Sequence, residues 1–173
     1  MKLKWVGHWL SHAELGSGMS PCVRRRVGAV VVDGDNAPLA LGYNGTTRGV
    51  GGAGWLCGGM GECERERLCV VSGERMEVGC HHAEANCLMN MLRAGVSARG
   101  CVMFVTLAPC EMCARLIAHS GLRGLYFMCE EFSVWGGGVA GVGGYALRGV
   151  EMLLEAGVEV YEVRRELLGV CEG

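Results

Sequence analysis

The sequence predicts an α/β protein, a three-layer α/β/α sandwich around a mixed five-stranded sheet. Three observations lead to this fold: a length that suits one domain, an apolar hairpin near the N-terminus, and strands that alternate with helices after residue 82. The 173 residues are half hydrophobic and 20% charged, which suits a single folded domain over 1–173. No stretch approaches the ~18 consecutive apolar residues of a spanning helix, so we expect no membrane contact.

Hydrophobic periodicity predicts the first three elements. An amphipathic helix over 4–15 is indicated by four apolar residues at helical spacing, Val6, Trp9, Leu10 and Ala13. Two segments rich in apolar and β-branched residues, starting at Val27 and at Pro38, flank the turn-forming residues 34–36. This pattern predicts an antiparallel hairpin.

From residue 82 onward, helices and strands alternate. Helices are predicted over 82–93, 110–120 and 145–156, and strands over 101–106, 125–128 and 158–163. After the antiparallel hairpin, such alternation predicts mainly parallel strands with helices on both faces of the sheet. The first of these helices has an apolar face that we expect to pack on the core, formed by Ala85, Leu88, Met89 and Leu92.

A Gly-, Cys- and charge-rich insertion at about 45–81 separates the hairpin from these elements. Loops of this length are usually functional, cross-linked or disordered. The chain has 11 cysteines and no recognisable secretory signal, which favours metal binding or catalysis in the cytoplasm over a disulfide framework. A net charge of −2 favours a small-molecule ligand over a nucleic acid polymer. A second glycine-rich segment, 136–144, is interpreted as a surface connection in preference to a substrate lid.

Two motifs carry the candidate chemistry, His82-Ala83-Glu84 and Pro109-Cys110-Glu111-Met112-Cys113. A catalytic zinc takes three protein ligands and leaves its fourth position to water, and His82, Cys110 and Cys113 supply three. The start of a helix favours the thiolate form of both cysteines. Glu84 is then available to move protons from water to a substrate. The order of the motifs matches the signature of zinc nucleobase deaminases, although a structural zinc beside a surface Glu84 is an alternative.

The chain resembles the deoxycytidylate (dCMP) deaminases, within the cytidine deaminase superfamily, from about Cys22 to Val163. Beyond the two motifs, the resemblance rests on four stretches: CVRRRVGAVVV from Cys22, GYNGTTRG from Gly42, SGER from Ser72 and LLEAGVEVYEV from Leu153. It implies zinc-dependent hydrolysis of dCMP to dUMP and ammonia. The alternatives are a deaminase of another base or nucleoside (cytidine, modified dCMP, guanine or tRNA adenosine) and a non-catalytic zinc scaffold.

The same resemblance implies residue roles around the base. Asn44 is expected to contact the deoxyribose, and the Ala83 N–H to face the pyrimidine carbonyl. The backbone carbonyl at Ala108 is expected to face the exocyclic amine. Several relatives hold the phosphate with an aromatic residue followed by Arg or His, where this chain has Phe132-Ser133. An arginine run more often forms a solvated surface, but the candidate phosphate partners are Arg24, Arg25, Arg26, Arg48 and Arg115.

A second, structural zinc and an assembly are further implications of the resemblance. The expected ligands are Cys22, Cys57, Cys63 and Cys80, with Cys69 or His81 as substitutes for Cys80. The alternative is a set of unrelated reduced cysteines. Relatives assemble, so a homo-oligomer is expected, with a hexamer favoured. An allosteric nucleotide bound with Mg²⁺ is a further expectation.

Overall fold

The computed structural model of the protein describes residues 1–46, 69, 80–129 and 144–165. These contain four helices: α1 (Leu3–Ser17), α2 (Ala83–Arg93), α3 (Glu111–Ser120) and α4 (Gly144–Glu155). The five strands are β1 (Gly28–Val32), β2 (Pro38–Tyr43), β3 (Val102–Val105), β4 (Gly124–Cys129) and β5 (Glu159–Arg164). Each predicted element is present, with ends shifted by one or two residues. No described helix combines the length and hydropathy of a transmembrane span.

The five strands form one mixed sheet in the order β2-β1-β3-β4-β5. Strand β1 is antiparallel to both β2 and β3, whereas β3, β4 and β5 are parallel. Strands β2, β3, β4 and β5 thus run in one direction, which agrees with the expectation of mainly parallel strands, although β1 pairs antiparallel with β3 as well as with β2. The reason is that the crossover through α2 returns the chain on the far side of β1. Strand β3 consequently runs parallel to β2 but lies next to β1.

Helices cover both faces of the sheet, which confirms the three-layer sandwich. Helix α1 packs on one face through its predicted apolar residues Val6, Trp9, Leu10 and Ala13, which meet Val30 and Phe104 of the sheet. Helices α2, α3 and α4 cover the other face, where the core contains Cys87, Met91, Ile117, Leu125 and Leu153. The sequence-predicted interior of α1 is thus the observed one.

The buried face of α2 agrees with the prediction at Leu88, which is buried, and differs at two other residues. Met89 and Leu92 are 46% and 70% exposed, whereas Cys87 and Met91 are buried. Apolar residues occupy two neighbouring stripes on the surface of this helix. The stripe that packs against the sheet is the one whose small residues allow a close approach. A Cβ atom on Gly42 of β2 would lie 2.4 Å from both the Ala83 carbonyl oxygen and the Cys87 nitrogen. Only glycine at this position lets the start of α2 contact β2.

A second close approach supports the turn before α3. A Cβ atom on Gly149 of α4 would lie 2.3 Å from the Pro109 carbonyl oxygen and 3.1 Å from the Cys110 carbonyl oxygen. The absence of a side chain lets α4 pack directly against the backbone of this turn. Pro109 is buried. Helix α4 therefore supports the turn that leads through Cys110 into α3.

Candidate metal centre

Three potential metal ligands from the two motifs converge at the starts of α2 and α3. The His82 Nδ1 atom lies 3.4 Å from the Cys110 Sγ atom and 3.4 Å from the Cys113 Sγ atom. All three ligand atoms lie within 4.8 Å of one another. In the described part of the chain, this is the one group of three or more His, Cys, Asp or Glu side chains that could hold a metal ion. The structure thus brings together the three predicted ligands.

Local backbone geometry explains how the ligands meet. His82 and Cys110, the first residues of the two predicted helices, are the N-caps of α2 and α3, with extended φ/ψ of −72°/156° and −72°/168°. Neither side chain forms a capping hydrogen bond to its own helix. Strands β2 and β3 run in parallel, so the helices that follow them begin at the same edge of the sheet. The two caps therefore face each other across this edge.

The donor set fits zinc. Zinc–sulfur bonds of about 2.3 Å and zinc–nitrogen bonds of about 2.0 Å at a tetrahedral angle place nitrogen and sulfur about 3.5 Å apart. The observed separations of 3.4 Å between His82 Nδ1 and each sulfur agree with this value. One imidazole and two thiolates are also the ligand types that zinc prefers, and three ligands leave one coordination position open.

The two thiols of the centre perturb each other. A hydrogen bond from the Cys113 thiol lowers the pKa of Cys110 to about 4, and the nearby His82 acts in the same direction. The pKa of Cys113 is raised, first because its proton is held in that hydrogen bond and then because it is buried. A divalent cation favours both thiolates, so its binding would release the proton shared by the pair.

Glu84 lies in the first turn of α2, directly beside the ligands. The residue is 4% exposed. Burial raises the pKa of its carboxyl group, and the positive charge of His82 opposes this increase only in part. The Cys113 side chain makes a smaller contribution that lowers the same pKa. A carboxyl group that holds its proton more tightly than usual is suited to general acid–base catalysis near neutral pH.

The predicted substrate contacts lie around the same edge. Ala83 is the first residue of α2 and is fully buried, and an N–H in this turn has no intrahelical acceptor. Ala108 is half-buried in the turn between β3 and α3. Asn44 is buried just after β2. Its Oδ1 atom accepts the Val27 N–H at 2.7 Å and its Nδ2 donates to the Arg25 carbonyl at 2.9 Å. These two bonds use only one of the two hydrogens on Asn44 Nδ2.

Part of the predicted second zinc site is described. The buried Cys22 side chain packs against that of Cys80. His81 pairs with Gly45 through two backbone hydrogen bonds, while Cys69 is exposed. The other two expected ligands, Cys57 and Cys63, lie outside the described residues.

The candidate phosphate contacts are only partly covered by the structure. Arg24, Arg25 and Arg26 are exposed. Arg115 is exposed on α3 and forms an ion pair with Glu111 one turn earlier, at 2.5 Å. Arg48, Phe132 and Ser133 lie outside the described residues, as does most of the glycine-rich segment 136–144.

Sequence reasoning missed two asparagines on α2 that connect the site to the sheet. The Nδ2 atoms of Asn86 and Asn90 donate to the carbonyl oxygens of Tyr43 and Leu41, each at 2.8 Å. Their spacing of four residues on one helix face was the available signal. Nothing in the sequence indicated that this face lies over the edge of the sheet.

Comparison with known proteins now assigns the family. The profile of the cytidine and deoxycytidylate deaminase zinc-binding region matches residues 4–129, which is most of the chain and includes both motifs. The chain belongs to this family. Family membership agrees with the convergence of His82, Cys110 and Cys113 beside the buried Glu84.

Individual relatives include proteins named for deoxycytidylate. The deoxycytidylate deaminase of Mus musculus is 30% identical over 132 residues, covering 75% of this chain and 67% of the mouse protein. That of Enterobacteria phage T4 is 29% identical over 185 residues, covering 92% of this chain and 90% of the phage protein. The crystal structure of dCMP deaminase from cyanophage S-TIM5 with dCMP and dUMP matches with a TM-score of 0.69 at 29% identity, covering 94% of this chain and 99% of that chain.

Proposed function

We propose that this chain hydrolyses dCMP to dUMP and ammonia at a zinc ion held by His82, Cys110 and Cys113. The observation that carries the proposal is the convergence of these three ligands beside the buried Glu84. The choice of dCMP is supported by relatives at 28–32% identity named deoxycytidylate deaminase and by the similar cyanophage structure with dCMP and dUMP.

The residues of the site account for the reaction. When bound, zinc lowers the pKa of a coordinated water from 15.7 to about 7. The carboxylate of Glu84 takes a proton from the attacking water and delivers it to the ring nitrogen N3. It then transfers the second proton to the amine as the bond to C4 breaks and ammonia leaves. The Ala83 N–H and the Ala108 carbonyl orient the pyrimidine, and Asn44 holds the deoxyribose.

A substrate comparison tests the proposal. We expect ammonia release from dCMP with a kcat/KM at least about a hundredfold above those for deoxycytidine and cytidine, because binding groups built for a phosphate reject substrates that lack it. Enzyme-coupled ammonia detection measures all three substrates under one condition. Equal turnover of the unphosphorylated nucleosides would contradict the assignment of the nucleotide.

The proposal includes a second, structural zinc bound by Cys22, Cys57, Cys63 and Cys80. The contact between Cys22 and Cys80 supports half of this set. We expect about two zinc ions per wild-type chain by elemental analysis and about one after Cys22→Ser. Cys101→Ser is the matched control, since Cys101 is a similarly buried thiol directly before β3. A wild-type value of one zinc per chain would exclude the second site.

We also propose that the chain forms a homo-oligomer, with a hexamer favoured. Four large apolar side chains are exposed on α2 and α3: Met89, Leu92, Met112 and Leu116. A second copy of the chain would bury them. Sedimentation of the purified protein measures the assembly, and a monomer at micromolar concentration would contradict it.

The proposal also includes a cytoplasmic location and allosteric regulation. A cytoplasmic location suits the reduced thiols that zinc binding requires. Control by an allosteric nucleotide with Mg²⁺ remains a prediction. The organisation as one domain with an insertion at about 45–81 also remains a prediction.

A further inference from the structure

Asn86 connects two segments of the candidate site. Its side-chain Nδ2 donates to the carbonyl of Tyr43, the last residue of β2, at 2.8 Å. Its backbone N–H donates to the carbonyl of His82 at 3.0 Å. Tyr43 directly precedes Asn44, the proposed sugar contact, and His82 is a proposed zinc ligand. One residue therefore contacts the neighbour of the sugar contact and the metal ligand itself.

The contact with Tyr43 depends on the position of β2 at the edge of the sheet. The Asn44 N–H donates to the Val27 carbonyl, so the alternation of an antiparallel ladder directs the Tyr43 carbonyl away from β1. Asn90 makes the same kind of bond to Leu41, two residues earlier in β2. Four residues of a helix rise about 6 Å, and two residues of a strand rise about 6.6 Å. The spacing of the two asparagines on α2 therefore matches the spacing of the β2 carbonyls that point away from β1.

The segment around Asn44 is held on both sides. Before it, Tyr43 accepts the hydrogen bond from Asn86. After it, Gly45 and His81 exchange backbone hydrogen bonds of 3.1 and 2.8 Å. Both connections lead to the chain segment that carries the proposed ligand and base. These bonds therefore connect the segment of Asn44 directly to the segment of the metal centre.

We propose that Asn86 is a positioning residue, which holds Asn44 where the sugar of a nucleotide reaches it while the base lies over the zinc ligands and Glu84. This inference rests on the proposed function. Asn90 bonds to the strand one turn farther from the site, so it attaches α2 to β2 without a direct connection to Asn44. An amide suits the role because it donates to a carbonyl, which an ionised carboxylate of the same shape cannot do.

Matched variants of the two asparagines separate positioning from general stability. Asn86→Ala and Asn86→Asp are compared with Asn90→Ala and Asn90→Asp in the full chain. The measurements are kcat and KM for dCMP, the Kd of dUMP by calorimetry, zinc content, and the unfolding temperature. We expect both Asn86 variants to raise KM and the dUMP Kd at least about tenfold, with kcat within about threefold and zinc content unchanged. Both Asn90 variants should change these constants less than about twofold, despite a comparable fall in unfolding temperature.

The outcomes distinguish this inference from the proposed function. A wild-type chain that releases no ammonia from dCMP contradicts the proposed function. A wild-type chain that is active, but whose KM and dUMP Kd respond equally to changes at Asn86 and Asn90, overturns the role of Asn86 alone. Loss of zinc from the Asn86 variants at unchanged dUMP affinity also overturns it. Should Asn86→Ala not fold, Asn86→Asp keeps the shape of the side chain and supports the same comparison.

Discussion

Replacing Glu84 with glutamine is expected to lower kcat for dCMP at least about a thousandfold while the zinc content stays at the wild-type level. The amide has nearly the shape of the carboxyl group but cannot accept and return a proton within one turnover. General acid–base catalysis accelerates enzyme reactions by a factor of about 10² to 10⁴. In this mechanism, one group carries out two proton transfers. Glu84 is no ligand, so the three metal donors remain in place. Ammonia release and elemental analysis on the same preparation measure both quantities.

Glu151→Gln is the matched control for this change. Glu151 is an exposed carboxylate on α4, and its replacement removes the same charge without touching the site. We expect its kcat to stay within about twofold of the wild-type value, as is usual for surface substitutions. An active Glu84→Gln enzyme would remove the proton-transfer role from Glu84.

Replacing Cys113 with alanine is expected to remove the catalytic zinc and lower kcat/KM at least about ten-thousandfold. Cys113 lies 3.4 Å from His82 Nδ1 and is almost fully buried, so no other described thiol can take its place. Two remaining ligands bind zinc far more weakly than three. The unfolding temperature should also fall, because metal binding to the folded state contributes to stability.

Cys87→Ala separates metal loss from the loss of a buried thiol. Cys87 is fully buried on α2, and burial raises its pKa to about 12. Its Sγ lies 3.5 Å from the Ala40 carbonyl oxygen, and it does not belong to the metal-ligand group. We expect this variant to keep its zinc and most of its activity with a modest loss of stability. Full zinc occupancy in Cys113→Ala would contradict the three-ligand assignment.

Local sequence patterns predicted the elements of the fold because hydrophobic periodicity and turn residues act over short distances. The interior of α1 was predicted correctly, since four apolar residues at helical spacing form one continuous face of this helix. The interior of α2 was predicted only in part, because Met89 and Leu92 extend its apolar surface beyond the part that the sheet covers. Periodicity cannot choose between two apolar stripes on one helix when the choice depends on what packs against them.

The position of β3 beside β1 likewise depended on long-range pairing. The alternation of strands and helices after residue 82 indicated parallel neighbours, and β3, β4 and β5 fulfil this. The antiparallel β1–β3 pair arises only when the hairpin and the later strands join into one sheet. No local pattern encodes on which side of the hairpin the returning strand will lie.

By itself, the sequence determined the donor chemistry: one imidazole, two thiols three residues apart, and an acid two residues after the histidine. These assignments depend on residue type and short spacing, which the chain carries in its covalent order. Tertiary structure decided how the donors meet, with His82 and Cys110 as opposing helix caps at one sheet edge. It also decided how that edge is held, through Gly42, Gly149 and Asn86. Such contacts join segments far apart in the chain, so they exist only after the helices pack on the sheet.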